Sequence, residues 1–290
     1  MKIDGKTRTC GLIGNPVEHT LSPVIHNNLA QMSGTNLVYV PFLVQEGGLA
    51  EAVKGAYQLN ILGMNVTVPY KSDVIPYLKE IDALAENIGA VNTLVRCEGG
   101  YKGYNTDMSG LFRAMQTEGI HIKDENVLLL GAGGAARAVA YLCASAGAKK
   151  IIVCNRTVEK AQEIVREMKI QMEETDIVAL ALSDVGTLAE ESFLAVQCTS
   201  VGLYPNVEDV VLADGEIYDR IHTGVDLIYR PYETQFMKLV KAHGGKTMNG
   251  LKMLLYQGII AYELWNQCDV TEEQAEPLLQ KMKEEMGIYE

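Results

Sequence analysis

Short runs of β-branched and apolar residues alternate along nearly the whole chain with stretches whose apolar positions recur at helical spacing. Buried-type strands followed by such helices predict βαβ units, parallel sheets covered by helices and an α/β fold. Strands are expected over residues 8–14, 37–43 and 62–68, and helices over 22–33, where Pro23 suits a first turn, and 49–58. Helical spacing continues through 72–78 and 83–88. Residues 90–95 and 101–104 then read as two strands turning at Gly99 and Gly100. A helix over 108–118 and a polar break over 119–125 lead into a second α/β stretch: strand 126–130, helix 133–146, strand 151–154 and helix 157–168. Strands at 176–180, 194–198 and 224–227 and a helix at 234–242 continue it. Beyond Gly250 come two helices, 251–266 almost all apolar and 272–285 amphipathic.

The length of 290 residues corresponds to roughly two domains at about 150 residues each. With 25 basic against 37 acidic side chains, the net charge of -12 repels a phosphate backbone, and no basic patch reverses it; a nucleic-acid partner is not expected. An anionic small molecule would need local cations or helix N-termini. No apolar run approaches the length of a membrane span, and no apolar segment follows Lys2, Lys6 and Arg8 as in a signal peptide. The six cysteines form no CxxC pair and have no His at zinc spacing, so no metal site is expected and reduced thiols point to a cytoplasmic protein.

The strongest chemical signal is Gly131-Ala132-Gly133-Gly134-Ala135-Ala136, which follows a strand and opens a helix in GxGxxA spacing. Gly131 permits a tight turn, Gly133 lets backbone approach a pyrophosphate, and Ala136 allows close helix packing, so phosphates would sit on the helix N-terminus. For NAD, an acidic residue should close the next strand. Here it ends Asn155-Arg156-Thr157, and a guanidinium there fits a 2'-phosphate by charge and stacking, which points to NADP.

The first half carries further polar clusters. Thr20 and Ser22 lie just ahead of a helix start, where Ser22 has the plain alternative of an N-cap. Asn65 and Thr67 alternate onto one face of a strand end, and Pro69 leaves Lys71 beyond its carboxyl end, where α/β sites form. Asn92 interrupts an apolar strand, Asp107 opens a helix and could serve only as a cap, and Gln257 places an amide in an apolar helix, where it needs a partner.

In order, NPVEHTLSPxxHN, NVTVPYK, GAVNTL, GYNTD, GAGGAARA, NRT, TSVGL, DLIYRPYET and GLKMLLYQG resemble the shikimate dehydrogenase family from residue 10 to about residue 262. The resemblance implies a discontinuous substrate-binding domain, 1–106 with 248–290, and an inserted Rossmann domain, 107–247, with the active site in the cleft between them. It implies an NADP-linked reduction of 3-dehydroshikimate to shikimate in aromatic amino acid biosynthesis, by a monomer or homodimer. The alternatives are a quinate/shikimate dehydrogenase using NAD or NADP and, more remotely, a non-catalytic NADP-binding sensor of the same fold.

By motif position, substrate contacts would be Thr20, Ser22, Asn65, Thr67, Lys71, Asn92, Asp107, Tyr229 and Gln257, with Lys71 and Asp107 the catalytic pair. Cofactor contacts would be Gly131 to Ala135, Asn155, Arg156, Thr157, Thr199 and Gly250. The sequence departs from the family pattern at Thr20, where Ser is usual, at Gln197, where Asn is usual, and at Leu203, where Met is usual.

Overall fold

The computed structural model describes residues 3–213 and 215–289. The chain divides into two compact units, one made of the residues up to Gly110 and those from Leu254 onward, the other Leu111–Met253. Both divisions fall inside helices, a few residues later than the expected 106/107 and 247/248, so Asp107 stays in the same unit as Lys71.

The first unit is built on strands β1 (Arg8–Gly14), β2 (Leu37–Leu43), β3 (Gly63–Val66), β4 (Glu80–Ile81), β5 (Thr93–Cys97) and β6 (Gly100–Tyr104), in the order β2-β1-β3-β5-β6-β4. Helix α1 (Ser22–Met32) returns the chain parallel beside β1, and α2 (Leu49–Gln58) carries it to the other side of β1. The β5–β6 hairpin is antiparallel and turns at Gly99, whose φ of 81° suits a residue without a side chain. Leu49, Val53 and Ala56 of α2 pack with Ile13, Met64, Val66 and Leu94 into one core. Helix α3 (Ala83–Ile88) is capped by the Asp82 carboxylate, which accepts from the Leu84 N–H.

Helix α4 (Thr106–Thr117) leaves this unit, and α8 (Gly250–Asn266) and α9 (Glu272–Glu285) return to it. The apolar character of α8 is explained by burial of Leu255, Ile259, Ala261, Tyr262 and Trp265. Trp265 lies so close on β3 that a Cβ at Gly63 would stand 2.0 Å from its ring nitrogen, which donates to the Leu94 carbonyl at 2.9 Å.

The second unit holds six parallel strands, β7 (Asn126–Leu130), β8 (Lys150–Asn155), β9 (Ile177–Ala181), β10 (Phe193–Gln197), β11 (Ile221–Asp226) and β12 (Lys246–Met248), in the order β12-β11-β10-β7-β8-β9. Numbered within the unit this is the 3-2-1-4-5-6 order of a Rossmann sheet. Helices α5 (Gly134–Ser145), α6 (Val158–Gln171) and α7 (Gln235–Ala242) make three of its crossovers. The central strands are apolar on both faces because both are covered: Val127 to Leu130 and Ile151 to Cys154 are fully buried.

Several expected elements differ. Residues 72–78 form turns and one 3-10 turn at Ile75–Tyr77, because Pro76 has no N–H for a bond to the Ser72 carbonyl. The strand expected over 62–68 ends at Val66, and that expected over 90–95 runs instead from Thr93 to Cys97. Ahead of Thr93 the backbone bonds go to other segments, Val91 N–H to the Lys71 carbonyl and Asn92 N–H to the Tyr104 carbonyl.

Candidate active site

The polar clusters of the first unit come together beyond the carboxyl ends of β1 and β3. A turn closed by the Tyr70 N–H on the Thr67 carbonyl follows β3, and the buried Tyr70 ring is anchored by its hydroxyl on the Val44 carbonyl at 2.8 Å. Lys71 is thereby held at the turn, and its Nζ lies 2.6 Å from Asp107 Oδ2, with the two side chains 35% and 20% exposed. Asp107 sits in the first turn of α4 but does not serve as its cap: the Asn105 side chain accepts from the Met108 N–H at 3.3 Å. The carboxylate is therefore left for the ammonium.

Ser22 is likewise not the cap of α1. It is the first helical residue, and the cap position belongs to Leu21, which makes no side-chain cap bond. The Thr20 hydroxyl instead accepts from the Ser22 N–H at 3.2 Å and donates to the Ser22 hydroxyl at 3.1 Å. Thr67 is half-buried, and its methyl fills space left by Gly14, where a Cβ would come within 2.3 Å.

Both predicted asparagines are almost wholly buried. Asn92 Oδ1 accepts from the Thr106 N–H at 2.7 Å and from the Thr93 and Thr106 hydroxyls, and its amide group points toward Gln257 Oε1 at 3.5 Å. Gln257 Nε2 donates to the Leu254 carbonyl one turn earlier in α8. Asn65 Oδ1 accepts from the Tyr39 hydroxyl at 2.7 Å, while Nδ2 reaches Thr93 Oγ1 and the Asn92 carbonyl. Thr93 and Thr106, which the sequence reading passed over, thus tie these amides together; their only signal is adjacency to Asn92 and Asp107 in the quoted motifs.

In the second unit, β7 ends at Leu130 and the chain turns at Gly131, whose φ is 112° and where a Cβ would stand 2.7 Å from the Thr199 methyl. Gly131 and Thr199 thus meet at the carboxyl ends of β7 and β10, the switch point of the sheet. Gly133 and Gly134 open α5 with nothing within 4 Å of where a Cβ would be, and Ala132 and Ala135 flank them, half-buried and exposed. Ala136 is fully buried under the helix. Bare glycine backbone at a helix N-terminus offers N–H groups to an anion, so the loop fits a dinucleotide pyrophosphate.

Arg156 and Thr157 are exposed beyond β8, and Thr157 occupies the cap position of α6 without making a side-chain cap bond. Asn155 Nδ2 donates to the Thr157 carbonyl. Asn155 and Arg156 line a cleft of about 320 Å³ together with Gly131, Thr199, Ser200 and Asp209. Its basic and hydroxyl groups fit a 2'-phosphorylated ribose. Gln197 shapes the same wall from within: fully buried, it accepts from the Thr199 N–H and hydroxyl, both at 2.7 Å, and donates to the Val201 carbonyl. Its extra methylene relative to Asn is thus spent on folding the loop that carries Thr199. Leu203, by contrast, is 42% exposed.

Tyr229 follows β11 and is half-buried, which pushes its phenol up from the ordinary value. Asp226 holds that loop, accepting from the Ile228 N–H at 2.9 Å and the Thr234 hydroxyl at 2.6 Å, and burial pushes its carboxyl up to about 6. Gly250 has a packing reason of its own: a Cβ there would lie 2.1 Å from the Leu227 carbonyl oxygen. Among the described residues no group of three or more His, Cys, Asp or Glu could hold a metal ion, and no helix is long and apolar enough to cross a membrane.

Residues 12–94 match the family model described as the shikimate dehydrogenase substrate binding domain, and 113–204 that described as shikimate / quinate 5-dehydrogenase. A shikimate dehydrogenase (NADP(+)) of Desulforamulus reducens is 44% identical over 269 residues, 91% of each chain. Among solved structures, shikimate 5-dehydrogenase of Thermus thermophilus in complex with NADP(H) and shikimate is 32% identical, with a TM-score of 0.82 over 95% of this chain and 100% of that one. Shikimate 5-dehydrogenase of Listeria monocytogenes in complex with shikimate and NAD is 29% identical, with a TM-score of 0.87 over 99% and 98%. With two domain models in sequence and relatives matched along nine-tenths of their length, the chain belongs to the shikimate dehydrogenase family.

Proposed function

We propose that this protein reduces 3-dehydroshikimate to shikimate, and the reverse, with NADP as the redox partner. The observation that carries the chemistry is the Lys71–Asp107 ion pair at 2.6 Å, set among hydroxyl and amide groups beyond the carboxyl end of β3. When bound, the nicotinamide supplies the hydride that goes to the ring carbonyl carbon. Lys71, as an ammonium, polarises that carbonyl and gives the oxygen its proton; in the oxidative direction it takes the proton back. Asp107 orients the lysine through their ion pair and accepts from a ring hydroxyl.

The substrate carboxylate is received by neutral donors, the hydroxyls of Thr20, Ser22 and Tyr229. Asn65, Thr67, Asn92 and Gln257 belong to the set that discriminates the polyol face, since a substrate lacking a hydroxyl leaves a buried polar group unpaired. The backbone of Gly131 to Ala135 would hold the pyrophosphate, Arg156 with Asn155 and Thr157 the 2'-phosphate, and Thr199 and the chain at Gly250 the nicotinamide side. The methyl of Thr20 crowds the carboxylate end, where quinate carries an additional hydroxyl, which favours shikimate.

The test is nicotinamide absorbance with shikimate and quinate, each crossed with NADP and NAD. Fastest turnover is expected with shikimate and NADP. Absence of shikimate oxidation rejects the reading, and a specificity constant for quinate equal to that for shikimate rejects the role given to Thr20.

A further inference from the structure

Tyr39 of β2 lies beside the substrate cluster and is 1% exposed, a residue that reads in the sequence as plain core. Its position is fixed from three sides. The Asn27 side chain of α1 bonds both its backbone N–H and its carbonyl, at 2.9 and 3.0 Å. Its ring stacks on His26, with centroids 4.2 Å apart and planes 18° from parallel, and lies 6.0 Å from the Trp265 ring. The hydroxyl at its tip therefore has one place to be, between the Ser22 hydroxyl and the Asn65 carboxamide.

The directions of the hydrogen bonds around it follow from groups that can only donate or only accept. Asn65 Nδ2 faces the Asn92 backbone carbonyl, which only accepts, so the carbonyl end of Asn65 must face Tyr39. The Tyr39 proton is committed to Asn65 Oδ1. On the other side Asn65 Nδ2 donates to Thr93 Oγ1, so Thr93 sends its proton onward, with Asn92 Oδ1 and Thr106 Oγ1 in reach at 3.1 and 3.0 Å. Asn92 Oδ1 already receives the Thr106 N–H, which fixes its amide the same way round.

We infer that Tyr39 is a positioning residue of the site, whose hydroxyl holds the Asn65 carboxamide and, through Thr93, the Asn92 amide in place at the substrate cluster. The Asn92 amide then presents its protons, and the ligand it matches brings a lone pair, a ring oxygen of the polyol face. The inference rests on the shikimate reading of this site. Without the Tyr39 hydroxyl, Asn65 Oδ1 is left buried and unpaired, and relieving it shifts Asn65 and with it Thr93 and Asn92.

Tyr39→Phe keeps the ring stack and removes only the hydroxyl. We expect kcat/KM for shikimate to fall about tenfold, carried mainly by KM, with the KM for NADP within twofold of the unaltered protein. Thr93→Val is expected to act in the same direction, Thr93→Ser to restore most of the loss, and Tyr39→Phe combined with Thr93→Val to lose less than the product of the single effects. A shikimate KM within twofold in Tyr39→Phe overturns the inference, as does a rise in both KM values in step. Should Tyr39→Phe fail to fold, the Thr93→Val and Thr93→Ser pair decides by the same criteria, equal losses in the two overturning it. No shikimate oxidation by the unaltered protein rejects the assigned substrate instead, an outcome visible before any variant is made.

Discussion

Lys71 and Asp107 reach one another from a turn after a strand and from the first turn of a helix, and neither is spent on the local backbone. Proton transfer by a placed side chain contributes about 10² to 10⁴ in rate, so Lys71→Ala is expected to lower kcat by that order and leave the KM for shikimate within a few fold. Asp107→Asn should damage both constants, because the carboxylate holds the lysine and also accepts from substrate; steady-state kinetics separates the two patterns. At the cofactor end, Arg156 is exposed in the cleft and no carboxylate closes β8, so Arg156→Ala should raise the KM for NADP far more than that for NAD. These positions were legible because each is a polar residue interrupting an apolar pattern or a strand end. Tyr39 was not, since its ring obeys the core pattern and only the far end of the side chain is polar. Asp226 was hidden in the same way, its carboxylate consumed by the loop that follows it.

Among the elements, α4 and α8 cross at Gly110, where a Cβ would lie 2.5 Å from the Gln257 backbone nitrogen. Asp107 stands one turn before that crossing on α4, and Gln257 is at it on α8, so the closeness of the two backbones sets the separation of two proposed substrate contacts. Gly110→Ala adds a methyl where there is no room. Overpacking of this kind costs about 1–3 kcal/mol, and the helices must part to relieve it. A lower unfolding midpoint in urea together with a raised shikimate KM is expected, and an unchanged KM at reduced stability would remove Gly110 from the site. The parallel strands and long helices were readable because each repeats its period several times. The two residues of β4 and three of β12 hold no period to read, and they exist because neighbouring strands offer them a ladder. The helical spacing of 72–78 was genuine as a pattern but was overruled by one missing N–H, at Pro76.

Across the whole molecule, two buried titratable groups give the stability opposite responses to acid. His26 is enclosed by Tyr39, Tyr262 and Trp265, and burial pushes its imidazole down to about 3. The unfolded chain takes up that proton below about 6.5 while the folded chain does not, so this contribution is present above pH 6.5 and is lost as pH falls, at about 1.4 kcal/mol per pH unit. Asp226, pushed up to about 6, works the other way: the folded state holds the proton where the unfolded state has released it, so its contribution is full below about 4 and is lost as pH rises through 6. Urea midpoints measured from pH 4 to 7 should therefore fall more steeply toward acid in Asp226→Asn than in the unaltered protein, and less steeply in His26→Phe. Parallel profiles for all three proteins would show that neither group titrates as its burial requires.

The division of the chain also has a consequence in time. The six parallel strands of the second unit are complete once Met248 has been synthesised, and all their strand pairings are made within Leu111–Met253. The first sheet is made earlier but waits for its cover, since Trp265 of α8 and the α9 helix that meets α1 are made only after the whole second sheet. Domains fold as units during synthesis, generally from the N-terminus. Here the order is reversed, and the sheet that is made first is the one that a chaperone would have to shelter longest.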